Sequence, residues 1–196
     1  MRRYWQGILA VILTGCAALP NEAQTGPVIG PGQMNFPQKE ESFRSSLDDL
    51  GPAPELANEV WLNTEAPLRL ADLRGKVVLL DMWTFGCINC QHVIPSLRDW
   101  HEQYSPKGLV VIGNHYPEFS YEADLEHLKK AVILLDVPYA VAQDNDGDTW
   151  RAYDNHYWPT LYLIDKRGHI RYRHIGEGSY EGTETAIQEL LKETYP

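Results

Sequence analysis

Two runs of consecutive apolar residues mark the interior of this chain. Val77-Val78-Leu79-Leu80-Asp81-Met82 is apolar apart from one acid and opens with β-branched residues. That is the pattern of a central strand buried on both faces. Leu109-Val110-Val111-Ile112-Gly113 predicts a second buried strand. A helix is predicted between them, from about Cys87 to Tyr104. Ser120 offers an N-cap for a helix with Leu125, Leu128, Ala131 and Val132 at helical spacing. Asp148 to Asp154 fits a short helix. Thr160 to Ile164 and His169 to Arg173 flank Asp165-Lys166-Arg167-Gly168, the signature of a hairpin. Thr183 to Thr194 predicts a closing helix with Ile187, Leu190 and Leu191 on one face. Nearer the N-terminus, Val60-Trp61-Leu62-Asn63 and Pro67-Leu68-Arg69-Leu70 predict a short hairpin. Strands alternating with helices imply one α/β sheet covered on both faces.

The chain has 196 residues, 43% of them hydrophobic, enough for one domain with a sizeable core plus a tail. Its formal net charge of -10 argues against nucleic acid or an anionic membrane surface as partner. The first residues read as a targeting segment. Arg2 and Arg3 form a basic start, and Ile8 to Leu13 an apolar run too short to span a bilayer. Leu13-Thr14-Gly15-Cys16 then resembles a bacterial lipobox. On that reading residues 1–15 are a lipoprotein signal peptide and Cys16 carries lipid. The alternative is an ordinary signal with a chance cysteine. Pro20 to Gln38 is rich in proline and glycine and lacks apolar periodicity. Residues 16–50 therefore read as a flexible tether and 51–196 as the domain. The expected location is the cell envelope, anchored to a membrane and facing the periplasm or the cell exterior. Disulfides persist in such a compartment.

The chemistry concentrates in Trp83-Thr84-Phe85-Gly86-Cys87-Ile88-Asn89-Cys90. Two thiols one helical turn apart, between a strand and a helix, read as a redox dithiol. Unpaired N–H groups and the positive dipole end at a helix start stabilise a thiolate, the species that attacks disulfides. Cys87 is the candidate attacker, and Cys90 the thiol that closes the ring. A zinc site usually needs four ligands. Only three cysteines exist, and His92 supplies at most a third local ligand. Covalent haem attachment needs C-x-x-C-H, and Gln91 breaks that pattern. Asp144-Asn145-Asp146-Gly147-Asp148 looks like a calcium loop, but its glycine comes too early and Asn155 stands where the ligating Glu belongs. It reads as a turn capping the next helix.

Taken together, these features resemble the thioredoxin fold. Asp81 lies six residues before Cys87, where thioredoxins carry a buried acid. Pro95 lies eight after Cys87, where the family's active-site helix is kinked. Pro159 heads the strand Thr160 to Ile164, where the family has a cis-proline facing the dithiol. The N-terminal hairpin and the helical insertion from Ser120 to Val141 resemble the TlpA/ResA branch of exported thioredoxins. Phe85 to Gln91, Gly108 to Gly113, Val141 to Asn145, Tyr157 to Asp165 and Gly176 to Tyr180 resemble the thioredoxin-like domain of DipZ-type proteins. Those proteins fuse this domain to a membrane electron-transfer domain. Thioredoxin has Trp before its first cysteine and Gly-Pro between the pair, where this chain has Gly86 and Ile88-Asn89.

The resemblance implies a thioredoxin fold: a central mixed sheet flanked by helices. It also implies a thiol–disulfide oxidoreductase with a Cys87–Cys90 disulfide and no cofactor. Asp81 is either a buried acid serving Cys90 in proton transfer, since an acid in an apolar run has a raised pKa, or a satisfied structural carboxylate at a strand end; the family spacing favours the first. Pro159 completes the catalytic set. Trp158, Thr160 and Phe85 are the candidate substrate-binding residues, and Trp83 belongs to the core. His92 and His115 are read as packed or exposed histidines. The expected partners are protein thiols or disulfides and a membrane electron-transfer protein; the branch also implies a link to cytochrome c biogenesis. A copper or zinc chaperone using the pair and a histidine, akin to Sco-type proteins, is one alternative. A thioredoxin-fold adaptor with an inert disulfide is the other.

Overall fold

A computed structural model describes residues 43–196. The readings on Arg2, Arg3, Cys16 and the segment Pro20 to Gln38 lie outside those residues. Among the described residues six strands alternate with four helices. The strands are β1 (Val60–Leu62), β2 (Val77–Trp83), β3 (Leu109–His115), β4 (Ala140–Gln143), β5 (Thr160–Ile164) and β6 (Ile170–Ile175). The helices are α1 (Ile88–Tyr104), α2 (Leu125–Leu134), α3 (Asp148–Ala152) and α4 (Tyr180–Leu191).

The strands form one sheet in the order β1-β4-β3-β2-β5-β6. It is mixed. β2, β3 and β4 run parallel, while β1, β5 and β6 pair antiparallel with their neighbours. β2 is central and buried along its whole length. Its side chains alternate between two cores, because successive residues of a strand point to opposite faces. Val77, Leu79 and Trp83 join one core with residues of α1, α2 and α4. Val78, Leu80 and Met82 join the other with Leu56, Leu70 and the α3 residue Trp150. Asp81 has the parity of the first group.

The structure departs from local expectation in four places. β1 forms, but its partner is β4, with Trp61 opposite Ala142. The expected hairpin partner is instead followed by a 3-10 turn over Leu70–Leu73. There the Glu55 carboxylate accepts the Leu70 and Ala71 N–H groups at 2.5 and 3.0 Å. Pro67 has no N–H to offer a ladder, and the free edge of β4 takes β1. Ser120 does not cap α2. Ser120–Ala123 is a 3-10 turn, and Asp124 caps the helix by accepting the His127 N–H at 2.9 Å. α4 starts at Tyr180, one turn before the expected Thr183. Residues 45–50 lie on the domain rather than in a tether. The Ser45 hydroxyl donates to Glu189 at 2.8 Å, and the Leu50 N–H to the Ile170 carbonyl at 2.9 Å.

The Asp144 to Asp148 run forms a capping turn. The Asp144 carboxylate accepts the Thr149 and Trp150 N–H groups at 3.2 and 2.8 Å, and the Asn114 amide at 2.9 Å.

Candidate active site

β2 ends at Trp83, and four residues later Cys87 opens α1 as its N-cap. The Cys87 backbone is extended, with φ −80° and ψ 114°. This turns its sulfur back over the first helical turn, where Sγ accepts the Cys90 backbone N–H at 3.2 Å. The first N–H groups of a helix have no partner within it. One of them here points at the Cys87 sulfur. Both thiols are free. Cys87 is half-buried and Cys90 fully buried. Burial pushes the Cys90 thiol far up, and the neighbouring Asp81 adds to the effect. Cys90 therefore stays protonated until something removes its proton. Pro95 lies inside α1.

Asp81 is fully buried, and neither carboxylate oxygen has a hydrogen-bond partner. Burial raises its pKa to about 8. It faces the core that holds Cys90. The Tyr139 hydroxyl is also buried without a partner; burial is the main reason it resists ionisation, and charge on Asp81 or Cys90 adds to it. Sequence reasoning did not single out Tyr139, because it reads as one more aromatic near a strand.

The Trp158–Pro159 peptide bond is cis. Pro159 directly precedes β5, whose Thr160 stands opposite Met82. The cis bond thus lies at the end of β2 from which the chain enters α1. Trp158 is half-buried and fixed: its ring stacks on Trp150 at 4.5 Å and Tyr116 at 5.8 Å, and Nε1 donates to the Tyr116 carbonyl at 3.1 Å. Thr160 does not join the exposed site. It is fully buried, and its hydroxyl donates to the Tyr157 carbonyl at 2.8 Å. Phe85 is half-buried between His115, stacked at 5.3 Å, and Tyr121 at 5.9 Å. Phe119 continues the row beyond Tyr121. Ile88, Phe119 and Tyr121 are each more than half exposed, so the half-buried Cys87 is followed by one exposed apolar residue, and two more line this row.

The histidines have separate tasks. His115 is buried, and desolvation lowers its pKa to about 4, so its ring is neutral. His92 pairs with Glu177 at 2.8 Å on the surface. Among the described residues no group of three or more His, Cys, Asp or Glu side chains is placed to hold a metal ion.

Residues 51–173 match the AhpC/TSA family. The chain belongs to that family. Within it, a 155-residue stretch is 43% identical to DipZ of Mycobacterium bovis, covering 78% of this chain and 22% of DipZ. The chain thus spans about a fifth of that relative. It is 30% identical over 129 residues to the thiol-disulfide oxidoreductase ResA of Bacillus thuringiensis, covering 66% of this chain and 69% of ResA. The crystal structure of a thioredoxin-like superfamily protein superposes with a TM-score of 0.69 at 31% identity, covering 74% of this chain and 99% of that one. This AhpC/TSA member has the thioredoxin-like fold.

A second residue at the site, besides Tyr139, escaped sequence reasoning. Glu122, from the insertion, accepts the Gly86 N–H at 3.0 Å. Its only signal in the chain is Gly86 itself, in the position where thioredoxins have Trp.

Asp81 also sets a pH dependence. Its folded pKa lies above the unfolded value of 3.8. Its contribution to stability is therefore complete below about pH 4 and lost as pH rises through about 8. The difference is on the order of 5 kcal/mol. Asp81→Asn removes this titration. In urea unfolding of the reduced proteins from pH 4 to pH 9, the variant is expected to gain on the wild type across that window. Parallel stability curves refute the buried, unpaired carboxyl.

Proposed function

We propose that this chain is an exported, membrane-anchored thiol–disulfide oxidoreductase acting on protein partners through Cys87 and Cys90. One observation carries the proposal: a half-buried Cys87 caps α1 and receives the Cys90 N–H, above a fully buried Cys90 and an unpaired Asp81. Inert disulfides need no such asymmetry. The similarity to ResA, a thiol-disulfide oxidoreductase by name, supports the same reading.

The steps follow from the two environments. The Cys87 thiolate attacks one sulfur of a partner disulfide, the partner S–S bond breaks, and one partner thiolate leaves. A mixed disulfide now joins Cys87 to the partner. The Asp81 carboxylate takes the Cys90 proton, and Cys90 attacks Cys87 Sγ. The mixed disulfide breaks, the second partner thiolate leaves, and both partner thiolates take up protons from solvent. Two electrons have passed to the partner, and the Cys87–Cys90 disulfide remains. Oxidation of a partner dithiol is the reverse. At pH 7 the Asp81 carboxyl is mostly protonated, because its pKa is about 8. It is therefore suited to returning the proton in the reverse direction and to removing it as pH rises. The exposed Ile88 and the row Phe85, Tyr121, Phe119 offer apolar contact beside Cys87, with Trp158 as a fixed wall before the cis-proline.

The anchor rests on Leu13-Thr14-Gly15-Cys16 after a basic and apolar leader. A head held near a bilayer is suited to exchange electrons with a membrane electron-transfer protein. Stable anchoring takes more than one acyl chain, which lipoprotein processing supplies.

Cys90→Ser is expected to accumulate mixed disulfides with protein disulfides, and Cys87→Ser to form none. Asp81→Asn should leave the first attack intact and slow release of the partner by ~10²-fold at pH 8. Non-reducing gels and quenched-flow alkylation read both. Trapping through Cys90 instead reverses the assignment. Mass spectrometry of the mature N-terminus is expected to find acylated Cys16. An unmodified peptide beginning after Cys16 rules the anchor out.

A further inference from the structure

The loop between β2 and α1 is fastened at three points. Thr84 Oγ1 lies 3.2 Å from His115 Nε2. The Gln91 side-chain amide donates to the Phe85 carbonyl at 2.8 Å. The Gly86 N–H donates to Glu122 Oε1 at 3.0 Å, across 36 residues of sequence. The third fastening is the most elaborate. Glu122 is fully buried. Its other oxygen accepts the Glu118 N–H at 2.7 Å and the Phe119 N–H at 3.0 Å. One carboxylate therefore ties the insertion to the residue before the attacking cysteine. Hydrogen bonds to an ionised acceptor are about twice as strong as neutral ones.

The glycine at 86 is explained by this contact. Its backbone is not left-handed, so conformation does not demand glycine. A Cβ at that position would lie 2.0 Å from Glu122 Oε1 and 2.8 Å from the Tyr121 hydroxyl oxygen. The Cys87 N–H closes the same turn onto the Thr84 carbonyl at 3.3 Å. Gly86 is thus, with Phe85, interior to a turn whose last member caps α1. Holding its N–H holds the plane from which the Cys87 side chain departs.

We propose that Glu122 is a positioning residue for Cys87, clamping the Gly86 N–H so that the attacking sulfur stays over the first turn of α1. The role rests on Cys87 being the attacking thiol. Glu122 acts through Gly86 and touches no reacting atom.

The Cys90→Ser protein isolates the attack step, since exchange stops at the mixed disulfide. Its rate of reaction with a small aromatic disulfide reads Cys87 placement without any need for a protein partner. Glu122→Ala should slow this attack by about tenfold, because a misplaced reacting group loses rate steeply. Gly86→Ala forces the clamp open and should slow it by a similar factor. In the Glu122→Ala background the 2.0 Å clash is gone, and the remaining close atom, the Tyr121 hydroxyl at 2.8 Å, is the tip of a half-exposed side chain that can give way, so Gly86→Ala should cost little more. Each rate is read on protein shown to be folded by circular dichroism, so a folding defect does not enter the comparison. Additive losses or a wild-type rate for Gly86→Ala overturn the proposal. If Glu122→Ala does not fold, the rate of folded Gly86→Ala decides alone. If the Cys90→Ser parent forms no mixed disulfide, the exchange reading fails first and takes this role with it.

Discussion

The chemistry of this molecule depends on where a strand buried on both faces hands the chain to a helix. β2 is pinned laterally by β3 and β5 and vertically by two cores, so its C-terminal end cannot wander. α1 is pinned by a buried stripe of Cys90, Val93, Ile94, Leu97, Trp100 and Tyr104. Each such apolar side chain contributes roughly 1.5–3 kcal/mol by burial. A helix cap contributes about 1 kcal/mol. Packing therefore sets the position of the helix start, and the Cys90 N–H to Cys87 Sγ contact is its consequence. The thiol is placed by the core rather than by its own bond.

The buried acids show where stability gives way to chemistry. Glu122 and Asp144 each accept three donors, and the fully buried Glu193 accepts the Ser45 N–H at 2.9 Å and faces Arg167 and Arg171. These carboxylates hold backbone in place. Asp81 has no partner at either oxygen. An unpaired carboxyl in a core weakens the fold. On the proposed reading its position beside the buried Cys90 thiol lets it move a proton, whereas the other three acids are held by N–H donors or arginines.

The parts of the fold legible in the chain are those coded locally. β5 falls where its apolar run and the Asp165 to Gly168 turn place it, and α1 begins beside the first cysteine. The dithiol and its position between strand and helix are likewise local. What escaped is non-local. β1 leaves its sequence neighbour for the open edge of β4, a choice made by the finished sheet. Ser120 and Asp124 are both good caps, and the contacts of Glu122 decide between them by holding the preceding turn. Thr160 looked available next to a proline, yet the pairing of β5 on both sides and the Tyr157 turn consume it. Gly86 carried a signal only as the residue standing where thioredoxins have Trp; that its backbone angles are ordinary, which marks a close approach by something else, is seen in the structure. The sequence alone had no means of saying that the something was Glu122.

The central claim is that Cys87 and Cys90 form a working redox couple, and the equilibrium reduction potential of the pair tests it most directly. Fluorescence or alkylation titration in glutathione and dithiothreitol buffers measures it. A reversible two-electron transition within the span of known exchange proteins, roughly −270 to −120 mV, is the predicted result. A pair that stays oxidised to below about −300 mV, as structural disulfides do, contradicts it.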